Sequence, residues 1–249
     1  MLRGTAFVFR TYAGRSVGAA QAWGGVFGIA SLLTPLVLGA MLGATATGEI
    51  RVLDNRVTLS LGLAWAQPFP LVLGALTVAL CTHLAAPRLA VVARGRVRED
   101  FRRRGLISAV VSGLLSLATL VLLVTAAPRL WTALTSLRVA PVLTFGVLLA
   151  AASAGALWQH RYGLAHALGA GHISALLVAW ALAQSPYIIY PDVLLDATAA
   201  PPATLAFVIA ALPLGMGLVV PSLWLLFAVF HGGRVHELAD RAVPRIPSR

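Results

Sequence analysis

Apolar runs of bilayer length recur along this chain, and they restrict its possible folds more than any other feature. An α-helix rises 1.5 Å per residue, so about 20 consecutive apolar residues cross the ~30 Å hydrocarbon core of a membrane. Such runs lie near Gly24 to Ala44, Phe69 to Val92, Leu106 to Ala127, Ala140 to Trp158, Leu164 to Gln184 and Ala203 to Phe230. No stretch alternates apolar with polar residues as the strands of a membrane barrel would, so the runs predict helices. Composition agrees: 59% of residues are hydrophobic and 11% charged, with a mean hydropathy of +0.88. A soluble domain is roughly half apolar and a quarter charged. The expected fold is all-α: a polytopic transmembrane bundle of six spanning helices, forming a single membrane domain over residues 1–249 with a short basic tail at residues 232–249.

Charge placement orients this bundle. Arg3, Arg10 and Arg15 precede the first span, whereas Glu49, Arg51, Asp54 and Arg56 cancel in the loop after it. The next loop is expected to carry Arg94, Arg96, Arg98, Arg102, Arg103 and Arg104 against Glu99 and Asp100, and the following one only Arg129 and Arg138. His160 and Arg161 sit in a tight turn, Asp192 and Asp196 in the last long loop, and Arg234, Arg241, Arg245 and Arg249 in the tail. Arginine excess on alternate sides places both termini in the cytoplasm by the positive-inside rule. The net charge of +11 is confined to segments flanking the membrane, which points to topology and anionic lipid rather than to nucleic acid. Tryptophans agree, with Trp23, Trp158 and Trp224 toward the inner side and Trp65, Trp131 and Trp180 toward the outer.

Candidate chemistry within the spans is sparse. None contains Asp or Glu, which disfavours proton pumping or ion-coupled transport through these helices. Neither a nucleophile elbow nor a phosphate-binding loop occurs. Cys81 is the single cysteine and reads as a small buried hydrophobe. His83 and His172 fall at similar depth, some ~14 Å from the expected cytoplasmic ends at 1.5 Å per residue. Two histidines at one depth on two helices suit a bis-histidine b-type haem. The competing reading is that each ring hydrogen-bonds a neighbouring helix. No Glu-x-x-His or His-x-x-x-His spacing supports a zinc or di-iron site. Gly39, Gly43 and Thr47 repeat every four residues, the spacing that lets helices approach closely in lipid.

The loop from Ala183 to Leu205 is the most specific segment, reading A-Q-S-P-Y-I-I-Y-P-D-V-L-L-D-A-T-A-A-P-P-A-T-L. It resembles the Q-x-P-Y...P-D...A-P-x-T-L loop before the last helix of subunit II of cytochrome bd-type quinol oxidases. Met1 to Arg10 (M-L-R-G-T-A-F-V-F-R) is similar to the L-R-G-x-x-F-E-F-R segment of that family, with Val8 replacing its acidic residue. Trp23 to Gly48 is similar to the family's next helix.

The resemblance implies a haem-free helical subunit of a multi-pass complex in the bacterial plasma membrane. That complex oxidises quinol and reduces dioxygen to water. Subunit I, the expected partner, holds haems b and d and the quinol site. This chain would bind no cofactor and would supply scaffold and interface, with membrane lipids as further contacts and quinone as a candidate one. Residues carried over are Arg3, Gly4, Phe7, Phe9 and Arg10 from the first motif, and Gln184, Pro186, Tyr187, Pro191, Asp192 and Pro202 from the last.

Local roles are expected for them: Pro186 ends a helix, Pro201 and Pro202 open the next, and Tyr187 and Tyr190 anchor at the interface. Family members begin with further helices carrying G-F-D-L-G-type and W-D-G-N-x-V-W-type motifs, which this sequence lacks. It is therefore expected to match the C-terminal two-thirds of the family, through a wrong start, a split gene or truncation, with further spans encoded upstream of Met1. Two other readings stay open: a b-type cytochrome using His83 and His172, and a small membrane permease or scaffold unrelated to respiration.

Overall fold

The computed structural model describes residues 2–12, 17–53, 56–59 and 64–231, so Arg15, Asp54 and the basic tail at 232–249 lie outside the described residues. The chain divides into two compact units, Met1–Ala197 and Thr198–Arg249. The first contains α1 (Leu2–Tyr12), α2 (Val17–Thr47), a hairpin of β1 (Ile50–Leu53) and β2 (Arg56–Leu59), α3 (Pro68–Val92) and α4 (Gly95–Ala126). It continues with α5 (Pro128–Leu134), α6 (Ala140–Trp158), α7 (Tyr162–Gln184) and a small hairpin of β3 (Tyr187–Ile189) and β4 (Val193–Leu194). In the second unit the described residues form one long helix, α8 (Pro202–His231).

Among the described residues six helices are long and apolar enough to cross a membrane, namely α2, α3, α4, α6, α7 and α8, and each expected span falls on one of them. The segment carrying Arg96 to Arg104 was expected to be a loop and is instead the opening of α4. Arg and Glu are good helix formers, and two pairs staple this stretch to itself. Arg102 meets Glu99 at 2.5 Å and Arg104 meets Asp100 at 2.9 Å. The chain turns from α3 into α4 over Ala93 and Arg94 in extended conformation and Gly95 at φ +58°, a left-handed value glycine adopts without cost. α5 was also unforeseen, being too short to register as a span; Pro128 opens it.

Lipid removes the hydrophobic force between helices, so contact depends on how closely backbones approach. α2 and α3 meet through glycines. A Cβ on Gly39 would collide with Thr77 Oγ1 and lie 2.8 Å from Gly74 Cα, and one on Gly43 would lie 2.8 Å from Pro70 Cα. A Cβ on Gly74 would collide with the Leu36 carbonyl. Thr47, third in the small-residue repeat, turns its hydroxyl back to Ala44 O at 3.0 Å. Gly105 of α4 repeats the device against Leu157 and Ala86. α6 and α7 form a hairpin closed at Gln159–Arg161, where His160 has φ 62°. Near the opposite ends of these helices Phe69, Leu123, Ala127, Leu130, Val139, Ala179 and Ala183 form the largest buried cluster. Cys81, expected to be buried, is exposed on the surface of α3.

The α2–α3 crossing generates a prediction. Gly74→Val should lower stability by about 1–3 kcal/mol, the usual cost of overpacking. Gly113→Ala, at a site with nothing within 4 Å, should leave it unchanged. Thermal unfolding in detergent micelles reads both, and equal midpoints would contradict the crossing.

Candidate functional site

The end of α7 and the loop that follows it gather Gln184, Pro186, Tyr187, Pro191 and Asp192 at one place. Ser185 leaves helical geometry (φ −55°, ψ 141°), as a residue preceding proline must, so α7 stops at Gln184. The peptide bonds before Pro186 and Pro191 are cis. Tyr187 then pairs with Leu194 across the small hairpin, and the Leu195 amide donates to Pro186 O at 2.8 Å.

Three attachments hold this loop. The first closes α2, whose final carbonyls have no partner within the helix. Thr45 O accepts the Tyr190 amide at 3.0 Å and Gln184 Nε2 at 3.4 Å. Gly48, at φ +80°, carries the chain away so tightly that a Cβ there would lie 3.1 Å from the Tyr190 ring and 3.7 Å from Pro191 Cδ. The second comes from α5. The Arg129 guanidinium lies 4.3 Å from the Tyr187 ring centre and 5.2 Å from that of Tyr190, and donates to Ser185 O at 3.1 Å. The two tyrosines pack edge to face at 5.3 Å.

The third is the carboxylate of Asp192. It accepts Arg51 Nε at 2.8 Å, Arg51 Nη2 at 3.1 Å and the Val52 amide at 2.8 Å. These bonds, the Arg51 guanidinium first, hold the Asp192 carboxyl below its ordinary range and raise Arg51. The pair sits at the rim, with side-chain exposures of 50% for Arg51 and 15% for Asp192, so its worth lies in geometry more than in charge. Gln184, 4% exposed, keeps its Oε1 buried without a partner, and Trp180 Nε1 one turn earlier is in the same condition.

The first motif lies elsewhere. On α1, Phe9 stacks on Trp23 at 4.9 Å, Phe7 meets Phe27 at 6.2 Å, and Arg3 lies 5.6 Å from the Phe27 ring centre. Arg10 runs beside Gly24, while a Cβ on Gly4 would meet nothing within 4 Å. This group docks α1 on the first half of α2, some ~30 Å by helix rise from Thr45, so the motifs form two separate contacts. Pro202 opens α8 in the second unit, where the amides of Thr204 and Leu205 donate to Pro201 O at 2.9 and 3.1 Å. Arg51, Arg129 and Thr45 were missed as partners, each lying far along the chain from the loop residue it meets.

The membrane histidines bond to neighbouring helices. His83 contacts Gly105 O at 3.3 Å and Ser153 Oγ at 3.1 Å, His172 contacts Gly146 O at 2.8 Å, and His166 contacts Leu84 O at 3.2 Å. Ligation of a haem through His83 Nε2 would break its contact with Ser153, whereas the Nδ1 contact of His172 is compatible with ligation through Nε2. Among the described residues no three His, Cys, Asp or Glu side chains cluster as a metal site.

The Asp192 clamp carries a prediction with a definite sign. Its carboxyl is depressed in the folded chain, so the clamp is complete above the ordinary aspartate value of about 3.9 and is lost as pH falls through the lower folded value. Asp192→Ala should speed amide exchange across Ile50–Leu53 several-fold at neutral pH, read by mass spectrometry. Unchanged exchange at Val52 would contradict the clamp.

The family model described as cytochrome bd terminal oxidase subunit II matches residues 1–230. The structure of bd oxidase from Geobacillus thermodenitrificans contains a chain of similar fold, with a TM-score of 0.75 and 23% identity over 92% of this chain and 69% of that one. Comparison with curated proteins gives no match. The family match spans every described helix of the first unit and nearly all of α8, and the chain belongs to the cytochrome bd terminal oxidase subunit II family.

Proposed function

We propose that this chain is the structural, haem-free subunit of a bd-type oxidase that transfers electrons from quinol to dioxygen: two quinols and one dioxygen yield two quinones and two waters. Family membership over residues 1–230 carries the reading and makes the chain a membrane subunit of an oxidoreductase complex with a further subunit. In this proposal the partner is subunit I, which holds haems b and d and receives quinol. The present chain supplies a rigid face for it. Its rigidity comes from the glycine crossing of α2 on α3 and from the loop that ties α2, α5 and α7 together.

Orientation belongs to the same proposal. Arg94 to Arg104 and the His160–Arg161 turn fall at one end of α3, α4, α6 and α7, and Arg51, Arg129 and Asp192 at the other. The arginine-rich end faces the cytoplasm and its anionic lipid, and the clamped loop faces outward.

Two measurements test this. Co-expressed with a tagged haem-bearing subunit I, the chain should copurify in a complex that consumes oxygen with quinol as donor. The chain purified alone should show no b-type reduced-minus-oxidised spectrum; such a spectrum would overturn the assignment and restore His83 and His172 as ligands. In a Cys81→Ala background, Asp192→Cys should react with an impermeant thiol reagent on intact cells and Arg96→Cys should not. Labelling at the arginine end alone would invert the topology.

A further inference from the structure

Where α3, α4, α6 and α7 meet, one imidazole and one hydroxyl make more polar contacts than they have hydrogens to give. His83 is 3% exposed and Ser153 fully buried. Three contacts run through them: His83 Nδ1 to Gly105 O at 3.3 Å, His83 Nε2 to Ser153 Oγ at 3.1 Å, and Ser153 Oγ to Ala165 O at 2.8 Å. Gly105 O and Ala165 O only accept. A neutral imidazole brings one N–H and the serine one O–H, so two hydrogens must serve three contacts.

Each neutral arrangement leaves lone pairs opposed. With the hydrogen on Nε2, the imidazole donates to Ser153 and Ser153 donates to Ala165 O, but the bare Nδ1 faces the Gly105 oxygen. With the hydrogen on Nδ1, Gly105 O is served, but Ser153 has one hydrogen for two contacts: given to Nε2 it leaves its oxygen confronting Ala165 O at 2.8 Å, and given to Ala165 O it leaves the bare Nε2 facing Oγ at 3.1 Å. The imidazolium has both N–H groups and satisfies all three contacts at once.

We propose that His83, cradled by Gly105 O and Ser153 Oγ, is a proton-binding site inside the membrane. One proton from the aqueous phase adds to the free ring nitrogen, no bond breaks, and the cation ties α3 to α4 and, through Ser153, to α6 and α7. Removal from water opposes the charge, while hydrogen bonds made only by the charged form favour it. The titratable groups on the packed elements are Cys81 and Arg88 of α3, Tyr162, His166 and His172 of α7, and the arginines before Gly105 on α4, where Arg102 and Arg104 are paired with Glu99 and Asp100. α2 and α6 present none. Among the described residues the ring's hydrogen-bond contacts are Gly105 O and Ser153 Oγ and no ion pair is made with it, so the site holds its proton by hydrogen bonds. It stands independently of the quinol oxidase reading.

The test is a titration of the full chain, 15N-labelled at histidine and held in lipid nanodiscs, followed by solid-state NMR between about pH 5 and pH 8, where imidazoles change charge. Loss of one signal in His83→Asn assigns the ring. The His83 ring should convert from one protonated nitrogen to two as pH falls. Ser153→Ala should lower its proton affinity about tenfold, one pH unit, by removing a hydrogen bond to the charged form. Ser153→Thr, which keeps the hydroxyl, should restore it. If His83→Asn does not fold, the resonance displaced by Ser153→Ala supplies the assignment. A ring that stays neutral in one tautomer down to pH 5 overturns the site, as does a midpoint indifferent to Ser153→Ala.

Discussion

A helix buried in lipid satisfies its own backbone everywhere except at its ends, and the loop after α7 is built around that exception. Thr45 O, at the end of α2, receives two donors from this loop, the Tyr190 amide and the Gln184 side chain. Gln184 is itself the last residue of α7, so one side chain joins two helix ends. Arg129 brings in a third by lying over both tyrosines, and Asp192 fixes the loop to the β1 strand through Arg51 and Val52. Pro186 and Pro191 set where the chain turns. The motif of the sequence is in this sense a description of how helix ends are closed.

The interior follows a complementary rule. Apolar side chains gain little by leaving lipid for protein, so the packed faces are assembled from residues small enough to admit a neighbouring backbone. Gly39, Gly43, Gly74 and Gly105 do this for α2, α3 and α4, and Gly146 does it for α6 against Ala175. The large apolar side chains are left to face outward, as Leu114, Leu117, Val121 and Phe145 do. Polar groups inside, His83, Ser153 and His172, each reach across to another helix.

How much of this was legible in the sequence depended on the range of each signal. Spans were readable because length and hydropathy are local, and the glycine repeat on α2 marked a real crossing. The opening of α4 was misread because an arginine-rich stretch looks like a loop on a hydropathy scale, although its charges pair within the helix. Cys81 was misplaced because α3 is apolar all round, which leaves no periodic mark of its lipid-facing side. The motif residues were visible, but their partners were not. Asp192 and Arg51 are 141 residues apart, and Gln184 and Thr45 are 139 apart, so only the fold pairs them. Arg129, just a charge in a short connection, gave no sign that two aromatic rings lay beneath it.

The loop after α7 acts as a clamp on helix ends within an oxidase subunit. A double-mutant cycle on Arg51 and Asp192 tests it most directly, with the temperature at which the assembled complex loses quinol-supported oxygen uptake as the readout. If the two side chains act only through each other and Val52, the double variant Arg51→Ala with Asp192→Ala loses no more than Asp192→Ala alone. Strictly additive losses, or single variants indistinguishable from the parent, would contradict the clamp.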